Sequence, residues 1–465
     1  MRAALAAVVV AVAVLPAASL SGAGGGTDWA RFGFDTARHG VGPAGTLTAA
    51  NVSHMTRQQV HLDGTVDSSP IYLHGVKVFG TTHDVFFVTT TYGKTEAINA
   101  ANGKVLWRYV PPSYSSLART AQITNATPVA STDRTAIYAA APDGKIRKLR
   151  ISDGKVLWTT SVTRDPTHEK LTSSLNVSRG MVLVTTGGYI GDAPPYQGHV
   201  VTLSERTGAI QHVWNSLCSD RHELITPSTC SASDSAIWSR NGAAVDPATG
   251  DLVVATGNAP WNGSTNWGDS VLVLSPDASR LLRHWTPADQ QHLNDADLDL
   301  GSTSPALLSG GYAVQGGKDG ELRLLALDRL PGPNAKLGGE LQTVPTPGSA
   351  PLFSEPAVWQ GTWVIVSDQS GTQAWRLAGG RLRSAWSNGA SGTSPAIAGS
   401  LVFVATSGAV NVYEAASGKQ VVSLTIGSEV HWQSPIVADG RVAVAEGNAN
   451  DHATSGVLDI FRLGS

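Results

Sequence analysis

Only two cysteines, Cys218 and Cys230, occur in 465 residues. No Cys/His spacing suited to zinc and no C-x-x-C-H stretch for covalent haem attachment is present. Charge is also scarce: Asp, Glu, Lys and Arg make up 15% of the chain and the formal net charge is −3. There is thus no basic surplus of the kind that holds nucleic acid or an anionic membrane surface. Beyond the N-terminus no apolar run is long enough to span a bilayer. A G-x-S-x-G elbow, an H-E-x-x-H pair and a phosphate-binding P-loop are all missing. So is any linker or low-complexity break. The length could hold two or three ordinary domains, but nothing divides it.

What the chain does have is turns and repetition. Fifty glycines and 24 prolines punctuate short apolar runs, the composition of an all-β protein. Residues 1–23 are rich in Ala, Val and Leu with Arg2 as the one charge, and small residues follow at Ser21, Gly22 and Ala23. This reads as a signal peptide, and hence an exported, secreted or periplasmic protein. The phrase Gly93–Trp107 (GKTEAINAANGKVLW) returns as Asp143–Trp158 (DGKIRKLRISDGKVLW). Its Asn102-Gly103 and Asp153-Gly154 pairs predict two-residue hairpin turns of type I′. Looser copies end at Trp214, Trp285 and Trp386. A second phrase precedes the copies: Ser69-Pro70, Thr127-Pro128, Ser304-Pro305, Glu355-Pro356, Ser394-Pro395 and Ser434-Pro435.

Eight such units can be placed, at about 65–110, 120–160, 170–215, 235–287, 300–345, 350–388, 390–425 and 430–463. Four-stranded units repeated radially make a β-propeller, which protects its sheet edges by closing into a ring. The expected architecture is therefore an all-β, eight-bladed propeller over 65–465, with 24–64 as lead-in and closure segment. The last unit lacks its outer strand, and a strand near Gln58–Leu62 is expected to supply it. Tryptophans at a fixed place in each repeat (Trp107, Trp158, Trp214, Trp285, Trp386) are expected to pack between blades.

The Ser-Pro opening, the Asp-Gly core and the Thr-Gly-Lys-x-x-Trp ending resemble the repeats of quinoprotein propellers. That family holds the pyrroloquinoline quinone (PQQ) dehydrogenases and non-enzymatic relatives such as the outer-membrane assembly scaffold. Segment 246–262 (DPATGDLVVATGNAPWN) resembles the dehydrogenases' calcium-ligand segment and puts the ligand on Asn258. An amide oxygen suits calcium. Segment 317–329 (GKDGELRLLALDR) resembles the stretch whose basic residue lies over the quinone, here Lys318, where a cation stabilises charge building on the quinone. The general base would fall in 286–305 (TPADQQHLNDADLDLGSTSP): one register gives Asp289, the other His292. Departures accompany these matches. The family's glutamate calcium ligand has no clean counterpart, Asp192 being close but out of register. The tryptophan under the quinone falls two positions early, on Trp238. The adjacent-cysteine pair of many family members is replaced by the separated Cys218 and Cys230, expected to close an ordinary surface loop at about 3 kcal/mol.

Two functions follow. In the first, the chain is a secreted binding scaffold derived from a quinoprotein, holding a protein, peptide or glycan at its channel face. In the alternative, it is a PQQ- and calcium-dependent dehydrogenase of an alcohol or sugar. The departures favour the scaffold; Asn258 and Lys318 favour the enzyme.

Overall fold

Eight blades, each a four-stranded antiparallel sheet, follow one another along the chain in the computed structural model, which describes residues 26–332, 336–427 and 430–464; one of them gains a short fifth strand, Val41–Gly42, paired parallel to Ala396–Ala398. The expected signal peptide lies outside these residues. Blades 1 to 7 use strands consecutive in sequence, spanning 71–109, 129–161, 176–215, 244–285, 306–345, 357–388 and 396–425. Blade 8 combines 436–463 with Met55–Leu62, which pairs antiparallel with Gly456–Leu463 from Met55↔Leu463 to Leu62↔Gly456. The expected closing strand is therefore present and three residues longer than anticipated. Arg57 locks the seam by donating to Asp459 and Glu446, both carboxylates being almost fully buried.

The repeated Val-Leu-Trp phrase acts through a bulge. In blade 2 Val156 faces Leu149 and Trp158 faces Lys148, leaving Leu157 as the extra residue. Blade 1 shows the same slip at Leu106. A bulge adds local twist and re-aims the next side chain, here turning the tryptophan onto the following blade. Trp107 Nε1 donates to Ile151 O (2.7 Å), Trp158 to Glu205 O (3.2 Å) and Trp386 to Ala415 O (2.9 Å). The hairpin turns differ from the type I′ expectation. Only the glycine is left-handed (Gly103 and Gly154, both φ 72), and Gly154 N donates back to Arg150 O. The loop is longer because the bulge consumes a residue. The tryptophan of the preceding blade also presses on that glycine: a Cβ at Gly154 would lie 2.8 Å from Trp107.

The expected lead-in proves, over its described residues, to be a collar. It touches the innermost strands around the ring: Trp29 with Tyr72 in blade 1, Ala30 with Ala130 in blade 2, and Arg31 with Asn176 in blade 3. It continues through Thr36 with Val245, His39 with Leu307 and Val358, Gly40 with Ile397, and Thr27 with Asp439 in blade 8. Between it and the channel axis, the space among Arg38, Ser69, Glu355 and Ser394 is about 10 Å³, room for one water at most. The collar thus narrows the channel on this side, and the two larger cavities lie at the opposite mouth.

Candidate active site

At the open mouth, the loops that follow the second strand of each blade face one another. In blade 4, Leu252–Ala255 leads into Thr256-Gly257-Asn258. Asn258 N donates to Asp299 Oδ1 (2.8 Å) and its Nδ2 to Asp297 Oδ1 (3.1 Å). Gly257 has to be glycine, because an added Cβ would sit 2.2 Å from Asp299 Oδ1. In blade 5, Tyr312–Gln315 leads into Gly316-Gly317-Lys318. Lys318 Nζ bonds Asp297 Oδ1 at 2.8 Å and Asp299 Oδ2 at 2.5 Å. It also lies 5.7 Å from the ring centre of Trp238. Burial pushes the Asp299 carboxyl up, only partly offset by Lys318. For Lys318 burial works downward, but Asp299 and Asp297 outweigh it and hold the ammonium more firmly protonated than usual.

Lys318, Asp297, Asp299 and Trp238 line one side of a cavity of about 380 Å³, and Asn258 reaches it only through its bonds to the two carboxylates. Trp238, Phe353 and Trp432 meet edge to face in its wall, with ring centres 5.8–6.2 Å apart. Lys170 and Arg240 supply positive charge on the other side. Burial lowers Lys170 to about 8 and Arg240 to about 10. Arg240 is oriented by the Asp67 and Asn125 carbonyls and stacks on Trp432. Asp67 is fully buried and accepts from His431 Nδ1 (2.7 Å), Trp432 N and Ala449 N. Burial would raise its carboxyl, but the His431 bond and charge bring it below the usual range. The cavity lining thus brings together the buried cations Lys170 and Arg240 and the ion-paired group of Asp297, Asp299 and Lys318.

The expected residues divide accordingly. Lys318 and Trp238 line the cavity, so the two-residue displacement of Trp238 in sequence does not remove it, whereas Asn258 is bonded to Asp297 and Asp299 and is not itself part of the lining. Asp192 also lines it, on a left-handed turn, with Oδ1 taking the Tyr196 hydroxyl proton at 2.8 Å. Neither candidate base reaches it. Asp289 precedes the helix Gln290–Asp295, which buries Gln290 and Leu293 and leaves Asp289 and His292 exposed. The carboxylates that line it are those of Asp192, Asp297 and Asp299, the last ten residues after Asp289. Cys218 and Cys230 form a disulfide closing the surface loop between blades 3 and 4.

The arrangement suits a hard cation and a flat polyanion. Asn258 Oδ1 is buried without a hydrogen-bond partner, an unfavourable state for an acceptor, and it stands beside the carboxylates of Asp297 and Asp299. Amide and carboxylate oxygens are the donor set calcium prefers. Aromatic walls with a few convergent charged groups are the usual make-up of a cofactor site.

An eight-bladed propeller with a charge-lined cavity at one mouth and a collar across the other defines the class. Residues 63–215, 96–271 and 360–457 match the family model described as outer membrane protein assembly factor BamB, and the chain belongs to that family of PQQ-like repeat propellers. Among curated proteins it is 25% identical over 290 residues to quinohemoprotein alcohol dehydrogenase ADH IIB of Pseudomonas putida, covering 57% of this chain and 40% of that one. It is 24% identical over 240 residues to the dehydrogenase subunit of the quinone alcohol dehydrogenase of Acetobacter aceti, covering 44% and 32%. The matches thus span less than half the length of these relatives. Among solved structures, the quinohemoprotein alcohol dehydrogenase of Comamonas testosteroni superposes with TM-score 0.69 at 16% identity, covering 94% of this chain and 81% of that one. A europium-containing methanol dehydrogenase gives 0.68 at 14%, covering 94% and 98%. BamB of Moraxella catarrhalis gives 0.54 at 12%, covering 88% and 98%. At these identities the structural likeness establishes the fold alone. Among the described residues no helix is long and apolar enough to cross a membrane.

Proposed function

We propose that the chain is an exported dehydrogenase that uses PQQ and a calcium-type hard cation to oxidise an alcohol or sugar. The observation that carries this reading is the cluster in which Asp299 joins Asn258 to Lys318, with Lys318 over the Trp238 ring, in a cavity whose lining also bears Lys170 and Arg240. The named relatives are dehydrogenases, which favours this reading over the binding scaffold that the sequence departures suggested. The Ala/Val/Leu-rich residues 1–23 support export, to be checked by N-terminal sequencing of the protein recovered outside the cytoplasm.

Bound PQQ would supply a two-electron oxidant. Lys170 and Arg240 would hold its carboxylates, and Trp238 would support its ring system. Asn258 Oδ1, with Asp297, would ligate the cation. Asp299 is the base, because unlike Asp289 and His292 it lines the cavity, and its raised proton affinity suits it to take the hydroxyl proton of a substrate. Lys318, kept charged by its two carboxylates, stabilises negative charge developing beside it. The electrons would then leave to a separate acceptor protein.

The test is titration of the purified protein with PQQ, with and without Ca²⁺, read by tryptophan quenching, alongside dye reduction with alcohols and sugars. Saturable Ca²⁺-dependent binding that is lost in Asn258→Ala and Lys318→Ala, with dye turnover, is the expected result. A folded protein that fails to bind PQQ at tens of micromolar would reject the reading.

A further inference from the structure

A second cavity, about 460 Å³, adjoins the first across Arg240, Phe353, His431 and Trp432 and reaches over blades 6 and 7. Its far wall carries Asp368, in the loop after Trp363–Ser367. This is the same loop that supplies Asn258 in blade 4 and Lys318 in blade 5, so three neighbouring blades each present a polar residue from one structural position. Asp368 is only 4% exposed. Its Oδ1 accepts from Ser370 N and Gly371 N, whereas its Oδ2 is buried with no hydrogen-bond partner among the described residues. Burial lifts the carboxyl to about 6 against those two bonds. Within the fold alone such an oxygen is unfavourable; it lacks a donor.

We infer that this second cavity binds a polyhydroxylated, uncharged ligand, a sugar or sugar alcohol, with hydroxyl donors directed to Asp368 Oδ2 and a C–H face against Trp432 and Phe353. The chemistry of the walls selects that class. Arg240 on the shared wall and Asp368 on the far wall carry opposite charges, so a net anion or a net cation would meet repulsion at one end. Ser391, Thr406 and Ser407 add hydroxyls that both donate and accept, matching a ligand with the same double character. Apolar ring faces beside a buried acceptor and scattered hydroxyls complete the set. A simple short-chain alcohol would leave Asp368 Oδ2 unsatisfied and fill little of the space. That the bound polyol is also the substrate, extending a hydroxyl through the shared wall towards Asp299, rests on the dehydrogenase reading above; the binding itself does not.

The experiment is isothermal titration of the full chain with D-sorbitol, D-glucose and maltotriose, with n-butanol and choline as controls. Each ligand is run with and without prior PQQ and Ca²⁺. Saturable binding of at least one polyol but of neither control is expected. Asp368→Asn, which keeps the turn-capping oxygen and replaces the acceptor by a donor, should weaken it about tenfold, and Ser407→Trp, which narrows the cavity, should do the same. PQQ titration of Asp368→Asn should be unchanged. No polyol binding by wild-type protein that does bind PQQ would overturn the inference and leave the dehydrogenase reading standing. Polyol binding without PQQ binding would do the reverse. Choline binding, or polyol binding indifferent to both substitutions, would also overturn it.

Discussion

If Asp299 is the base of the proposed dehydrogenase, replacing it should stop chemistry without emptying the site. Asp299→Asn is expected to cut dye-linked turnover by about 10²–10⁴-fold while PQQ still quenches tryptophan fluorescence. Glu355 makes a separate test of the buried charges. It accepts from Asn241 N and Ser304 N between Arg240 and Arg38, and burial pushes it up to about 7 from an ordinary 4.5. A carboxyl raised on folding takes up a proton, so its stabilising contribution is complete below about pH 4.5 and lost as pH rises through 7. The melting-temperature advantage of wild type over Glu355→Gln should therefore shrink between pH 5 and pH 8; a constant gap would contradict this placement. Glu355 was legible as an anomaly, the one charged residue where the repeats otherwise place Ser or Thr before Pro. Asn258 and Lys318 were legible because each sits inside a long matching phrase. Asp299 was not. It follows Asp295 and Asp297 in a run of similar letters, and which of them faces inward is set by the short helix Gln290–Asp295 and the left-handed Asp297 after it. Lys170, Arg240 and Trp432 come from three separate blades, and only the ring brings them together.

At the scale of the element, the repeating hairpin joins a bulge, a glycine and a tryptophan that belong to two blades. Gly154→Ala would force an L-residue into φ 72 and drive its Cβ against Trp107, a predicted loss of at least about 2 kcal/mol. Urea unfolding would measure it, and a neutral result would mean that Trp107 has room to move. The closing strand offers a sharper case. Arg57→Ala would leave Asp459 and Glu446 buried without their cation, and about 3–5 kcal/mol is expected to be lost. Blade number and the closing strand were readable because apolar alternation and turn residues repeat. The turn type was misread because an Asp-Gly pair signals a tight hairpin only where no bulge follows. That the lead-in forms a collar could not be read. It bonds to the inner strands largely through backbone groups, which any sequence carries.

At the scale of the whole molecule, the collar narrows one end of the channel, and the two larger cavities lie at the opposite mouth. Deleting Gly456–Leu463 should do more than shorten a blade. It would leave Met55–Leu62 without a partner and open two sheet edges of the sort that recruit other chains. Aggregation or proteolysis in place of a soluble smaller propeller is the expected outcome, read by size-exclusion chromatography. The pairing of Met55–Leu62 with Gly456–Leu463 also imposes an order in time. A strand synthesised near the beginning has to wait, unpartnered, for one synthesised near the end. The ring cannot close over a half-made chain, so products of premature termination reveal themselves by their exposed edges to proteases and chaperones. The seam that holds the blades together can thus form only after the strands of every blade have been made.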